Sequence, residues 1–328
     1  MSIHFKPPAL WKKILRSNFV DPMRLADFLN LDEDQRQKIQ ARPRFTLNLP
    51  VRLAQKITKG TLEDPILKQF LPTHEENIQA GEFGADPVGD TPCRIAQKLL
   101  HKYEGRMLLI CTSACAMHCR YCFRQHFDYA GPSLFSDELK IIAEDSTINE
   151  IILSGGDPLS LDDRILENLL KQLATIPHIK KVRFHTRFPI GIPERIDQSF
   201  LRLLETIPLQ FLFVIHVNHP KELDSDVLAA LKSLQKIGIP ILNQFVLLRG
   251  VNDYIDVLTD LCDLLVNHGV LAYYMHQLDR VQGAAHFEVS EEEGLKLIKE
   301  LQGRLPGYAV PRYVKEISGM PSKSLLIN

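Results

Sequence analysis

From residue 107 onward, short apolar runs rich in β-formers return about every 30 residues, and no other feature restricts the fold as strongly. They are MLLICT (107–112), EIILSG (150–155), KVRFHTR (181–187), FLFVIHVN (211–218), ILNQFVLL (241–248) and AYYMHQ (272–277). After a longer first step, the spacing is that of one βα unit. Helical patterns fill the gaps. In DDRILENLLKQLA, Ile165, Leu166, Leu169, Leu170 and Leu173 mark one apolar stripe at the helical period. VLAALKSLQKI and VLTDLCDLLVNH repeat the pattern, with Gly238 and Gly269 behind them as helix stops. Six such units predict an α/β fold: parallel strands with right-handed crossovers, curled into a barrel or partial barrel. A doubly wound sheet is the competing architecture, because periodicity does not establish closure.

Residues 1–100 read differently. Helical patterns such as WKKILRSNF and RLADFLNLDEDQRQKIQA alternate with breaks at Pro43, Pro50, Pro65, Pro72, Pro87 and Pro92, which predicts a helical appendage. The barrel is expected over 101–290 and a short closing segment over 291–328. Hydrophobic residues make up 45% and charged ones 24%, enough for a sizeable core. With net charge −1 and no long like-charged run, neither a nucleic-acid arm nor a polybasic membrane patch is present. The opening MSIHFKPPALWKK lacks the apolar core of a signal peptide, and no stretch is apolar enough to span a bilayer. The expectation is a soluble cytoplasmic protein. Six cysteines agree with it: Cys93, Cys111 and Cys262 are scattered and three are clustered, unlike a secreted disulfide framework.

The runs lead into or carry polar residues: the first leads into the cysteine loop, the others end in SGGDP, HTR, HVNH and HQLD, and the fifth contains NQ. In parallel α/β folds the carboxyl ends of the strands carry the site, so six segments aim polar groups at one mouth. The first of them, CAMHCRYCF, holds Cys115, Cys119 and Cys122. Three thiols at this spacing can hold three irons of a [4Fe–4S] cube and leave one iron open. A zinc site completed by His118 or His126 is the alternative from spacing alone. In HVNHP, His216 and His219 would point to opposite faces of a strand, whereas His216 and Asn218 would share the lumen face.

The pattern after a first strand resembles that of the radical S-adenosylmethionine (SAM) enzymes, which implies a radical SAM partial (β/α)6 TIM-type barrel. The open iron would then chelate SAM. By the same resemblance Tyr121 lies beside the adenine, and Ser154, Gly155, Gly156 and Asp157 receive the methionyl ammonium. Further segments narrow the match: HKYEGRMLLICTSACAMHCRYCFRQHF, IILSGGDPL, HTRFPIGIPERI, HVNHP, NQFVLLRGVND and GYAVP together resemble the lysine 2,3-aminomutase family over roughly residues 95–325. The short chain and HQLDRVQGAAHF look most like the branch that makes β-lysine for elongation factor P.

That family uses SAM with pyridoxal 5′-phosphate (PLP). The resemblance places Lys323 as the lysine that holds PLP as a Schiff base, although its glycine-rich approach is only partly kept in GMPSKS. Arg124 matches the clamp for the substrate α-carboxylate. Asp279 and Glu316 match the acids that receive the distal ammonium of lysine, with Glu where the lysine mutases have Asp. Tyr103 and Arg106 match PLP contacts, with Lys102 where the family has an arginine, and His216 and Gln244 match residues near SAM. The implied reaction is a 1,2-amino shift of lysine through radicals. Its partners would be a one-electron donor such as flavodoxin or ferredoxin and, functionally, a β-lysine ligase acting on elongation factor P. An oligomer is left open. A free-lysine mutase would share every site residue, a glutamate mutase would need a cationic or neutral group facing its distal carboxylate, and a zinc-stabilised RNA-binding module would need basic and aromatic clustering that is absent.

Overall fold

A computed structural model describes residues 9–129, 131 and 135–327. The first eight residues, on which part of the leader reading rests, lie outside them. One sheet contains, in spatial and sequence order, β1 (Arg94–Ala96), β2 (Leu99–Tyr103), β3 (Arg106–Thr112), β4 (Glu150–Gly155), β5 (Lys181–Thr186), β6 (Gln210–Ile215), β7 (Ile241–Val246), β8 (Leu271–His276), β9 (Arg312–Lys315) and β10 (Ser324–Leu325). From β3 to β9 every pairing is parallel. The outer pairs β1–β2, β2–β3 and β9–β10 are antiparallel. Helices Ser136–Glu144, Asp163–Thr175, Gln198–Thr206, Ser225–Lys236, Ile255–Asn267 and Glu291–Arg304 make the six crossovers. Among the described residues, no helix is long and apolar enough to cross a membrane.

The six expected runs are β3 to β8. Because the strand order never reverses, the sheet has no switch point, and the doubly wound alternative is excluded. Three details differ from expectation. A seventh parallel strand, β9, is only four residues long, too short to show alternation. The fourth run was read through residue 218, yet β6 stops at Ile215. Beyond it, the Asn243 side chain takes both backbone groups of Val217, at 2.9 and 3.0 Å, in place of a neighbouring strand. Ile165 is 40% exposed while Leu166, Leu169, Leu170 and Leu173 are buried, because the core stripe runs i, i+3, i+4, i+7 from Leu166.

Backbone pairing leaves β1 and β10 as edges, so the barrel is partial. Side chains bridge its ends instead. The Tyr103 hydroxyl on β2 donates to Glu316, just after β9, at 2.5 Å, and Lys102 lies 3.7 Å from the same carboxylate.

The amino-terminal helices share the barrel's core cluster. Trp11 is 2% exposed and meets Phe188 edge-on at 5.5 Å. The buried Arg195 guanidinium lies 4.8 Å from the Trp11 ring centre and pairs with Asp163 at 2.9 Å. Trp11→Ala removes a fully packed aromatic and uncovers that cation. It should cost about 3–5 kcal/mol of stability, read as a lower midpoint in denaturant unfolding.

Candidate active site

A cavity of about 750 Å³ runs through the lumen, and every residue that the resemblance assigns to the site lines it, the three cysteines together with Lys323, Glu316 and Asp279.

The cysteine loop follows β3 and has little regular structure, so its backbone groups need partners elsewhere. Gly156 N donates to Thr112 O at 2.6 Å and Asp157 N to Ala114 O at 2.8 Å. Asn48 Nδ2 donates to Cys115 O at 3.0 Å and Asn18 Nδ2 to Ala116 O at 2.8 Å. His118 N reaches Asn48 O at 3.0 Å, and Arg120 N reaches Gln69 O at 2.9 Å. The paired glycines are required by this contact. A Cβ on Gly156 would lie 2.4 Å from Ala114 O, and one on Gly155, at φ +114°, would lie 2.9 Å from Thr112 O. The two glycines of SGGDP thus admit the close approach of the cysteine loop.

Asp157 is committed to the protein. Its carboxylate accepts from Thr186 Oγ1 at 2.7 Å and from the backbone N–H groups of Leu159, Arg187 and Phe188 at 2.8–3.0 Å. Burial pushes its acid up to about 6, against those hydrogen bonds. Ser154 Oγ accepts from Arg124 Nη1 at 3.2 Å.

Beneath the loop lies a polar network that sequence reading missed. The Tyr121 hydroxyl accepts from Arg187 Nη1 and Asn218 Nδ2, both at 2.5 Å, and donates to Gln69 Oε1 at 3.3 Å. Arg187 also donates to Cys119 Sγ at 2.9 Å, to Gln69 Oε1 at 2.6 Å and to Glu222 Oε2 at 2.7 Å. Asn218, expected to face the lumen, is buried in this network. The chain has left the strand before residue 218, so strand alternation does not apply there. His219, likewise beyond the strand, accepts from Lys221 N at 3.1 Å as a turn cap. His216 does line the lumen, 2.7 Å from Gln244 Nε2. Burial holds its pKa down at about 3, with Arg187 and Lys323 acting the same way.

Along the same lumen, charges form two linked chains. Arg124 Nε donates to Asp90 at 2.7 Å, and Asp90 also pairs with Lys102 at 2.7 Å. Burial opposes ionisation of Asp90, but Arg124 and Lys102 outweigh it and keep its pKa low. Asp90, on an irregular stretch before β1, was invisible as a site residue. Lys323 Nζ donates to Glu316 at 2.5 Å. Burial opposes ionisation of Glu316 too, and Lys323, Tyr103 and Lys102 outweigh it. Arg106 stacks its guanidinium 4.7 Å from the Tyr103 ring centre. Asp279 has no side-chain hydrogen bond or ion pair among the described residues. Burial pushes its acid up to about 7, Lys323 pulls it down and Glu316 pushes it up.

The two histidines that could complete a zinc site are engaged elsewhere. His118 Nδ1 lies 2.8 Å from Thr46 O with its ring stacked on Phe45, and His126 Nε2 lies 3.2 Å from Gln282 O. Among the described residues, no three His, Cys, Asp or Glu side chains converge tightly enough for a single ion. Three thiols on one cavity wall, one of them facing a guanidinium that offsets thiolate charge, fit an iron–sulfur cluster with an open iron.

The Radical SAM superfamily model matches residues 109–262, from β3 to the helix after β7. An L-lysine 2,3-aminomutase from Haemophilus influenzae is 42% identical over 96% of this chain and 95% of its own. Its Escherichia coli counterpart is 40% identical over 96% and 94%. One from Clostridium subterminale is 33% identical over 80% of this chain and 64% of its own. Among solved structures, a radical SAM methyltransferase from Sphaerobacter thermophilus covers 66% of this chain at a TM-score of 0.50 and 17% identity, a likeness of fold alone. Radical SAM proteins carry a [4Fe–4S] cluster and use SAM, which agrees with the thiol loop. With its strand order, its three-thiol loop and those full-length matches, the chain belongs to the lysine 2,3-aminomutase family of radical SAM proteins.

Proposed function

We propose that this chain is an L-lysine 2,3-aminomutase, an isomerase that converts lysine to β-lysine with a [4Fe–4S] cluster, SAM and PLP. One observation supports the reading: three thiols and Lys323, paired with Glu316 and accompanied by Asp279, line a single lumen. When bound, these groups would supply a hydrogen-abstracting radical and a conjugated ring able to delocalise an unpaired electron.

The chain's own residues bind and orient. Cys115, Cys119 and Cys122 hold the cluster, and Tyr121 with the 154–157 turn and the His216–Gln244 pair border SAM. Lys323 is the amine that joins PLP, with Tyr103 and Arg106 beside it. Arg124 takes the substrate carboxylate: Asp90 and Ser154 occupy Nε and Nη1, and Nη2 has no partner among the described residues. Asp279 is the unpaired carboxylate for the distal ammonium. Glu316 holds the Lys323 ammonium and would be the second carboxylate facing the substrate's distal cation. Two carboxylates favour a cationic side chain over glutamate's. The barrel wall excludes water from the reacting centre.

The HQLDRVQGAAHF stretch supports the further proposal that the β-lysine modifies elongation factor P; release for osmolyte or catabolic use is the rival. Mass analysis of elongation factor P with and without this gene separates them.

Anaerobic protein reconstituted with iron, sulfide and PLP, then given lysine, SAM and dithionite, should form β-lysine, and no product would overturn the assignment. Borohydride reduction should fix a pyridoxyl label on Lys323, and Lys323→Ala should lose the label while keeping its iron. A pH effect also follows. Asp279 must be ionised to attract an ammonium, and its free-enzyme pKa is raised to about 7. Lysine kcat/KM should therefore fall as pH drops through about 7. Asp279→Asn should remove that limb and lower kcat/KM by roughly 10²-fold or more at high pH, read in steady-state kinetics.

A further inference from the structure

Arg187 ends the HTR segment behind β5, and nothing in the reaction above uses it. Its guanidinium is buried over the Phe70 ring, 4.8 Å from its centre. Glu222, which it pairs with at 2.7 Å, is fully buried and also accepts from the backbone N–H groups of Asn218 and His219 at 3.0 Å. Gln69, from the amino-terminal helix Pro65–Phe70, fixes the same Nη2 at 2.6 Å. One edge of the guanidinium is thus anchored to two separate segments. The other terminal nitrogen, Nη1, donates to the Tyr121 hydroxyl at 2.5 Å and to Cys119 Sγ at 2.9 Å. Among the described residues, no charged side chain hydrogen-bonds to Cys115 or Cys122. A buried ion pair costs desolvation that hydrophobic packing would avoid, so its retention beside one thiol calls for a purpose.

We propose that Arg187, oriented by Glu222, is a positioning residue for the iron–sulfur cluster: it donates to the Cys119 sulfur and sets the potential at which the cluster takes up its electron. The inference rests on the cluster being held by Cys115, Cys119 and Cys122. Reduction adds one negative charge to a cluster already carrying thiolate charge. A hydrogen bond to sulfur and a fixed cation in a low-dielectric surrounding both favour the reduced state. Glu222 opposes this through its own charge while holding the guanidinium in place. Arg187 stays protonated throughout, so the electron enters without a proton at this residue. Removing either charge should therefore move the potential, and in opposite directions.

The test is a redox titration of anaerobically reconstituted protein, following the reduced cluster by electron paramagnetic resonance, with iron and sulfide measured for each variant. At the parent midpoint, Arg187→Gln should lower the ratio of reduced to oxidised cluster by about tenfold. Glu222→Gln should raise it, and Arg187→Lys, which keeps the charge, should lie between Arg187→Gln and the parent. Parent potentials in loaded Arg187→Gln and Glu222→Gln overturn the inference, as does a shift of the same sign in both, which is loss of structure and not of charge. If Arg187→Gln fails to load iron, Glu222→Gln decides alone, and an unchanged potential in it overturns the inference. A parent protein that binds no iron at the three cysteines overturns the reading of the loop, and this inference with it.

Discussion

A loop that must present three side chains to a cofactor cannot spend its backbone on a sheet, so its polar groups must be satisfied from outside. Residues 112–120 meet this requirement through the glycines after β4, through Asn18 and Asn48, and through the backbone of Asn48 and Gln69. Three of these partners belong to the first hundred residues. The amino-terminal helices are therefore the support of the cysteine loop, and their packing on the barrel through Trp11 and Arg195 bears directly on the site. Gly155 and Gly156 act on the same loop from the opposite side, where no side chain would fit.

The lumen is organised by charge as much as by shape. Arg124, Asp90 and Lys102 form one chain of ion pairs, and Lys102 also approaches the cluster of Glu316, Lys323 and Tyr103. Both acids in these chains are held ionised by their cations. Asp279 lacks such a partner, and burial keeps its proton on to near neutral pH. A buried carboxylate without a partner is poised for an incoming cation, since pairing would then offset its desolvation. Because Tyr103 and Glu316 come from opposite ends of the sheet, the same contacts bring the barrel's two edges together.

Strand periodicity reported the barrel well because each βα unit repeats the same burial problem, as β3 to β8 and their crossover helices show. It failed for β9, which is too short, and at Val217, where the Asn243 side chain substitutes for a strand. The cysteine loop and the SGGDP turn were legible for a related reason: they follow β3 and close β4, so their order along the chain fixes which mouth they face. Arg106, at the amino end of β3, and Lys323 were reached only through the resemblance.

The sequence by itself determined the parallel βα order and the three-thiol loop, because each depends on local pattern or on position within a repeat; Arg124, Asp279 and Lys323 were reached only through the family resemblance. Only the tertiary structure decided that Asp90 pairs with Arg124, that Asn18, Asn48 and Gln69 hold the cysteine loop, and that Arg187 and Glu222 lie beneath Cys119. These partners are separated by 34 to 98 residues along the chain. A buried polar group is satisfied by whatever the fold brings within 3 Å or so of it. Sequence spacing carries no record of that distance.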